Sequence, residues 1–183
     1  MARLKLLHEP DPRLRRVSVA VTNVDNAVRQ ELADMKETLE HLEGLGLAAP
    51  QVDILRRMII CDTKNFPTDE GVPSGGPRFL VMINPKITSR SSEQTTLEEG
   101  CFSLPDTPVA VARPETCKVT FLNEDGATQT LQARGLFAKC VQHEVDHLDG
   151  VLTIDYLSPL KKELTLEKLI KLKRKSSTTL SSP

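Results

Sequence analysis

Val28, Leu32, Met35, Leu39 and Leu42 recur at intervals of three and four, the spacing of one apolar helix face. Asn23 or Asp25 stands where an N-cap is wanted, and Gly44 marks the expected stop. A second helix is predicted over residues 136–149, between Gly135 and Gly150, with Leu136, Cys140, His143 and His147 along one stripe. Elsewhere the apolar runs shorten and turn β-like, at 57–62, 79–84, 118–122 and 128–134. The last two flank NEDGA, residues 123–127, whose turn chemistry predicts a hairpin. Residues 63–77, TKNFPTDEGVPSGGP, read as an exposed loop.

Composition bounds the picture. With 183 residues, 39% of them hydrophobic, and a net charge of -1, the chain suffices for one domain with a real core and is too short for two ordinary ones. No apolar run approaches the roughly 20 residues of a membrane span. The basic start MARLKLL passes directly into His8, Glu9 and Pro10, without the apolar stretch of a secretory signal. Cys61, Cys101, Cys117 and Cys140 form no C-x-x-C pair, so a reducing cytoplasm is the expected compartment.

The second helix carries the chemistry. His143 and His147 are four apart and so share a helix face, with Glu144 one step round; this is the H-E-x-x-H arrangement of a hydrolytic metal site. A third ligand is needed. The extended form of the motif would put a histidine at position 153, which is Thr153, and a downstream glutamate would have to be Glu163 or Glu167, both inside a lysine-rich segment. The search therefore moves upstream, to the cysteines. Cys61 and Cys117 sit in β-type runs and read as small core residues, while Cys140, one turn below His143, is expected to pack. Cys101 lies in LEEGCFSLP, where glycine and proline predict exposed, turned backbone rather than a ladder, and it is the preferred third ligand. Two imidazoles and a thiolate suit Zn2+, Fe2+, Co2+ or Ni2+.

A further segment, GLGLAAPQV at 44–52, combines small residues that let backbone approach a ligand with the side-chain amide of Gln51. It has neither G-K-[ST] nor G-x-G-x-x-G, which excludes the standard phosphate loops.

Taken in order, GLGLAAPQ, EGCFS and QHEVDHLDG resemble the three signature motifs of the peptide deformylases, and HEPDPRLRRVSVAV and TIDYLSPLKKE resemble that family's flanking segments. The resemblance implies that Cys101, His143 and His147 bind one divalent ion, Fe2+ physiologically, and leave an open position for water. It implies that Glu144 accepts the water's proton. The Gln51 amide and the Phe102 backbone N–H would meet the developing oxyanion, with Gly44, Gly46 and Gly100 shaping the loops around them. Glu99 is expected beside this centre, with Arg113 a possible basic partner. The substrate implied is a peptide beginning with formyl-methionine, whose side chain would enter a pocket of Leu45, Leu97, Leu136 and Cys140, with Lys139 at its rim and Pro108 nearby.

The expected fold is α+β: a single domain with a central metal-binding helix among short, mostly antiparallel strands, flanked by N-terminal and C-terminal helices. Residues 1–160 form the catalytic unit, 161–175 a basic helix and 176–183 a flexible tail. In that helix Leu164, Leu166, Leu169, Ile170 and Leu172 are expected to face the domain, while Lys161, Lys162, Lys168, Lys171, Lys173, Arg174 and Lys175 supply a surface for the ribosome that presents the nascent chain. Neither a membrane nor sequence-specific nucleic acid is an expected partner. The rival readings are a general H-E-x-x-H metallopeptidase and a noncatalytic metal-binding protein.

Overall fold

The structure, a computed structural model, describes residues 2–179, with side chains as far as Leu172. Helix α1, Asn26–Leu42, starts at Asp25, whose side chain accepts the Val28 N–H. Its left-handed terminal residue is Glu43, with φ 52°, and not the expected Gly44. Gly44 is small for a different reason, since a Cβ there would lie 2.3 Å from the Phe102 ring.

Strands β1 (Gly46–Ala48), β2 (Met58–Asp62), β3 (Phe79–Arg90), β6 (Thr116–Leu122) and β7 (Thr128–Arg134) form one antiparallel sheet in the order β1-β2-β3-β6-β7. Successive side chains of a strand point to opposite faces, and here each face has its own core. From β2, Met58 and Ile60 join Val28, Leu32, Met35 and Leu39 of α1. Ile59 and Cys61 face the other way, onto Phe137, Val141, Val145 and Leu148 of helix α2 (Gly135–Leu148). The strand is covered on both sides, which is why RMIICD reads as a continuous apolar run. The hairpin expected at 123–127 joins β6 to β7, and Asn123 closes it by accepting from the Asp125 and Ala127 N–H groups.

Two strands were not legible as such. β4 (Gln94–Cys101) and β5 (Leu104–Pro114) form a separate two-stranded sheet joined by a tight turn at Phe102 and Ser103. Cys101 therefore sits at the end of a ladder, contrary to the turned backbone expected around it. The register shifts between Glu99 and Cys101, and this irregularity, rather than an unusual φ at Gly100, sets the bend. β3 also outruns its expected end at 84, because a register shift between Ile83 and Lys86 carries pairing past Asn84 and Pro85. A third core lies under the hairpin, where Leu104, Val109 and Val111 meet Leu7, Leu14, Leu152, Ile154 and Leu169.

The segment 63–77 is more than an exposed loop. Phe66 is buried with its ring 5.1 Å from that of Phe137, and Glu70 Oε2 accepts the Phe137 N–H at 2.8 Å, closing the first turn of α2. The terminal helix α3 spans Pro159–Thr179, longer than the 161–175 expected, and residues 180–183 of the expected tail lie outside the described residues. Only Leu169 of its leucines is buried, with Leu166 packed beside it; Leu164 and Leu172 are exposed. Two residues are more than half a helical turn, so Leu164 and Leu166 cannot share a face.

Candidate metal centre

Helix α2 is packed between the sheet and the hairpin, and it turns His143, Glu144 and His147 toward the end of β4. The Cys101 Sγ lies 3.3 Å from His147 Nε2, which lies 3.3 Å from His143 Nε2. The three ligand atoms all fall within 4.8 Å of one another, the grouping expected from the sequence.

The surroundings fix the chemistry of each ligand. Glu99 Oε2 lies 2.9 Å from His143 Nδ1; a proton there leaves the Nε2 lone pair aimed at the centre. Burial opposes charge on His143, but the Cys101 sulfur and Glu99 carboxylate outweigh it and hold its pKa well above the usual value. Negative groups that favour positive charge at that point also favour a divalent cation. His147 is driven the other way, by burial and then by the charges of His143, Arg113 and Arg15, so it is neutral and able to ligate. Its Nδ1 is buried and has no hydrogen-bond partner among the described residues. The donor set, one thiolate sulfur and two imidazoles, fits a tetrahedral ion with one position left over.

Around this centre runs a charged network. Arg113, on β5, grips Glu99 with two hydrogen bonds, of 2.5 and 2.9 Å. It also donates to Asp146 Oδ2 at 2.8 Å, and Tyr156 donates to the same oxygen at 2.7 Å. The pairing of Glu99 with Arg113 matches the expectation from sequence. The parts of Asp146 and Tyr156 do not follow from it, although Asp146 inside the H-E-x-x-H motif is a carboxylate three residues beyond a ligand. Burial alone would raise the Glu99 pKa, but His143 and Arg113 bring it below the ordinary range.

Glu144 is nearly fully buried, and its Oε2 has no partner among the described residues. Burial pushes its carboxyl up to about 7, against the attraction of His143. Gly46 makes room for it: a Cβ there would lie 2.7 Å from Glu144 Oε1 and 2.9 Å from Cys140 Sγ. Gln51 is set in the short 3-10 turn Ala49–Val52, and its Oε1 accepts the Ala48 N–H at 2.9 Å. That bond orients the amide, so Nε2 faces Cys101 Sγ at 3.6 Å and Ser103 Oγ at 3.4 Å.

A cavity of about 500 Å³ opens onto these groups. Leu45, Gly46, Gln51, Leu97, Glu99, Gly100, Cys101, Phe102, Leu136, Cys140, His143 and Glu144 all line it, so the residues picked from three distant segments share one cleft. Two expected site residues are not among the lining: Gly44, which lies against the Phe102 ring and Leu39, and His147, which sits behind the cavity wall against Cys101 and His143. Lys139 and Pro108 also line the cavity, as do Leu104, Glu98, Asp106 and Thr107, which the sequence did not single out.

Comparison with known proteins points the same way. A family model described as polypeptide deformylase matches residues 3–163. Peptide deformylase of Orientia tsutsugamushi (strain Boryong) is 43% identical over 175 residues, 94% of this chain and 97% of the relative. That of Rhizorhabdus wittichii is 43% identical over 174 residues, 95% of this chain and 97% of the relative. Among solved structures, peptide deformylase from Ehrlichia chaffeensis in complex with actinonin superposes with a TM-score of 0.86 at 37% identity, covering 95% of this chain and 99% of that one.

Proposed function

The chain belongs to the peptide deformylase family, metal-dependent hydrolases that remove the N-formyl group from peptides, and from that premise we propose that Cys101, His143 and His147 hold its metal while Glu144, Gln51 and Phe102 carry out the reaction. The carrying observation is convergence: three candidate ligand atoms, a buried carboxylate whose Oε2 has no partner among the described residues, and an oriented amide meet beside one apolar cleft. A divalent ion there supplies Lewis acidity and lowers the pKa of water toward neutrality.

The chain's own groups do the rest. Glu144, close to neutral pKa, takes a proton from water attacking the formyl carbon and returns one to the leaving amine. The Gln51 Nε2–H and the Phe102 N–H stabilise negative charge on the formyl oxygen. Leu45, Leu97, Leu136 and Cys140 supply apolar walls for the first side chain, methionine. Release of formate from formyl-Met-Ala-Ser, with no cleavage inside an unformylated peptide, is the expected result; internal cleavage would favour a general metallopeptidase.

Gln51→Ala should lower kcat by about 10²–10³ while leaving metal content intact, because it removes one oxyanion donor and no ligand. Formate release measured beside metal content checks this, and full activity in the variant would remove Gln51 from the oxyanion site. For the ion itself we favour Fe2+, with Zn2+, Co2+ or Ni2+ able to occupy the same donors. Protein purified anaerobically with Fe2+ should turn over faster than its Zn2+ form, and equal rates would count against Fe2+.

We further infer that residues 1–160 form the catalytic domain, and that α3 docks it near nascent chains on the ribosome, in the cytoplasm. No helix among the described residues is long and apolar enough to cross a membrane. Lys161 and Lys168 are exposed on α3, whereas Lys162 is held by Asp155 at 2.6 Å. Removing the whole helix would also remove buried Leu169, so charge reversal is the cleaner test. Lys161→Glu with Lys168→Glu should weaken low-salt cosedimentation with ribosomes and spare turnover of free formyl peptides; unchanged cosedimentation would sink the docking role.

A further inference from the structure

The apolar cleft has a cation in its wall. Lys139 lines the cavity beside Leu136, Cys140 and His143, and is only 9% exposed. An ammonium in such a wall is costly unless it is paired, and when unpaired it would turn the pocket polar. Here its Nζ donates to Glu115 Oε2 at 3.2 Å, and the same oxygen accepts the Thr95 hydroxyl at 2.6 Å. Glu115 is itself fixed through its backbone, since its N–H donates to the Glu93 carbonyl and its carbonyl accepts the Gly135 N–H at the start of α2. Thr95 stands on β4 two residues before Leu97, which lines the cleft from that strand. The bridge therefore ties α2 to β4 through Glu115. Its acceptor end is in contact with water, the Glu115 side chain being 34% exposed.

We propose that Glu115 and Thr95 are positioning residues that hold the Lys139 ammonium out of the first-residue pocket, leaving its methylene stem as the wall and so setting the preference for an apolar first side chain. A long cationic side chain can lay its stem along an apolar surface and send its charge to solvent; the bridge fixes that arrangement in place. With the bridge cut, the ammonium is free to turn into the cleft, where it can pair with a polar group brought in by the substrate. The inference rests on the assignment of this cavity as the first-residue pocket.

The test compares formyl tripeptides that differ only at the first residue, norleucine against glutamine. Glu115→Ala should lower the ratio of kcat/KM for norleucine over glutamine about tenfold, chiefly through KM, since no group at the reacting carbon changes. Thr95→Val should move the ratio the same way by less. In a Lys139→Met background, adding Glu115→Ala should move it no further, because the ammonium that the bridge restrains is gone. An unchanged ratio in Glu115→Ala, or an equal fall with methionine at position 139, would overturn the proposal. Leu136→Ala separates the two readings. If it alters first-residue preference while Glu115→Ala does not, the bridge alone fails; if it too leaves preference unchanged, the pocket assignment falls and the bridge with it.

Discussion

Glu144→Gln is expected to retain one divalent ion per chain and to lose turnover by about 10²–10⁴. Glutamine has the shape of glutamate, so the close packing of Gly46 against its Oε1 survives. Cys101, His143 and His147 are untouched. What disappears is the basic carboxylate, whose Oε2 has no other partner among the described residues. Metal analysis and formate release on the same preparation check the prediction. Turnover near that of the unaltered enzyme would exclude Glu144 as the base, and loss of the ion would show that it ligates.

Arg113→Met should act on stability and metal together. Arg113 and Glu99 are both more than nine-tenths buried, and their ion pair is completed by Asp146 and Tyr156. Removing the cation leaves Glu99 desolvated without its bidentate partner, and breaking a buried pair in this way costs about 3–5 kcal/mol. In a chain of this size that corresponds to a fall in Tm of about 6–20 °C. Glu99 would also hold the His143 ring less firmly, and loss of such support weakens metal binding by about 10–100-fold. Thermal unfolding and metal competition are the measurements. A variant with unaltered Tm would show that this network contributes little to the fold.

Much of this is readable from sequence because the relevant signals are local. A helical period marks α1 and α2, a four-residue spacing aligns two histidines, and turn chemistry closes β6 to β7 in register. Other features escape because their cause lies elsewhere in the chain. β4 is exposed from Gln94 to Glu98 and shows no buried alternation until Glu99, so its pairing is dictated by β5. In β5 the alternation of buried Val109, Val111 and Arg113 is present, but Pro105, Pro108 and Pro114 obscure it. That Glu70 closes the first turn of α2 depends on a contact across 67 positions, and no spacing rule reports it. Gly44 reads as a ligand-loop residue because small residues suit close approach, and in the structure the group that approaches is a phenyl ring.

The separations within the site also set an order of events in folding. Gln51 and Cys101 are 50 positions apart, and Cys101 and His147 are 46. Helices and the β6–β7 hairpin involve short loops and form early, whereas contacts at such range must wait for loops to close. No short fragment of the chain can assemble the donor set, and during synthesis it stays incomplete until His147 has left the exit tunnel. With Cys101, His143 and His147 as the proposed ligands, metal loading would follow collapse of the β4–β5 hairpin onto α2.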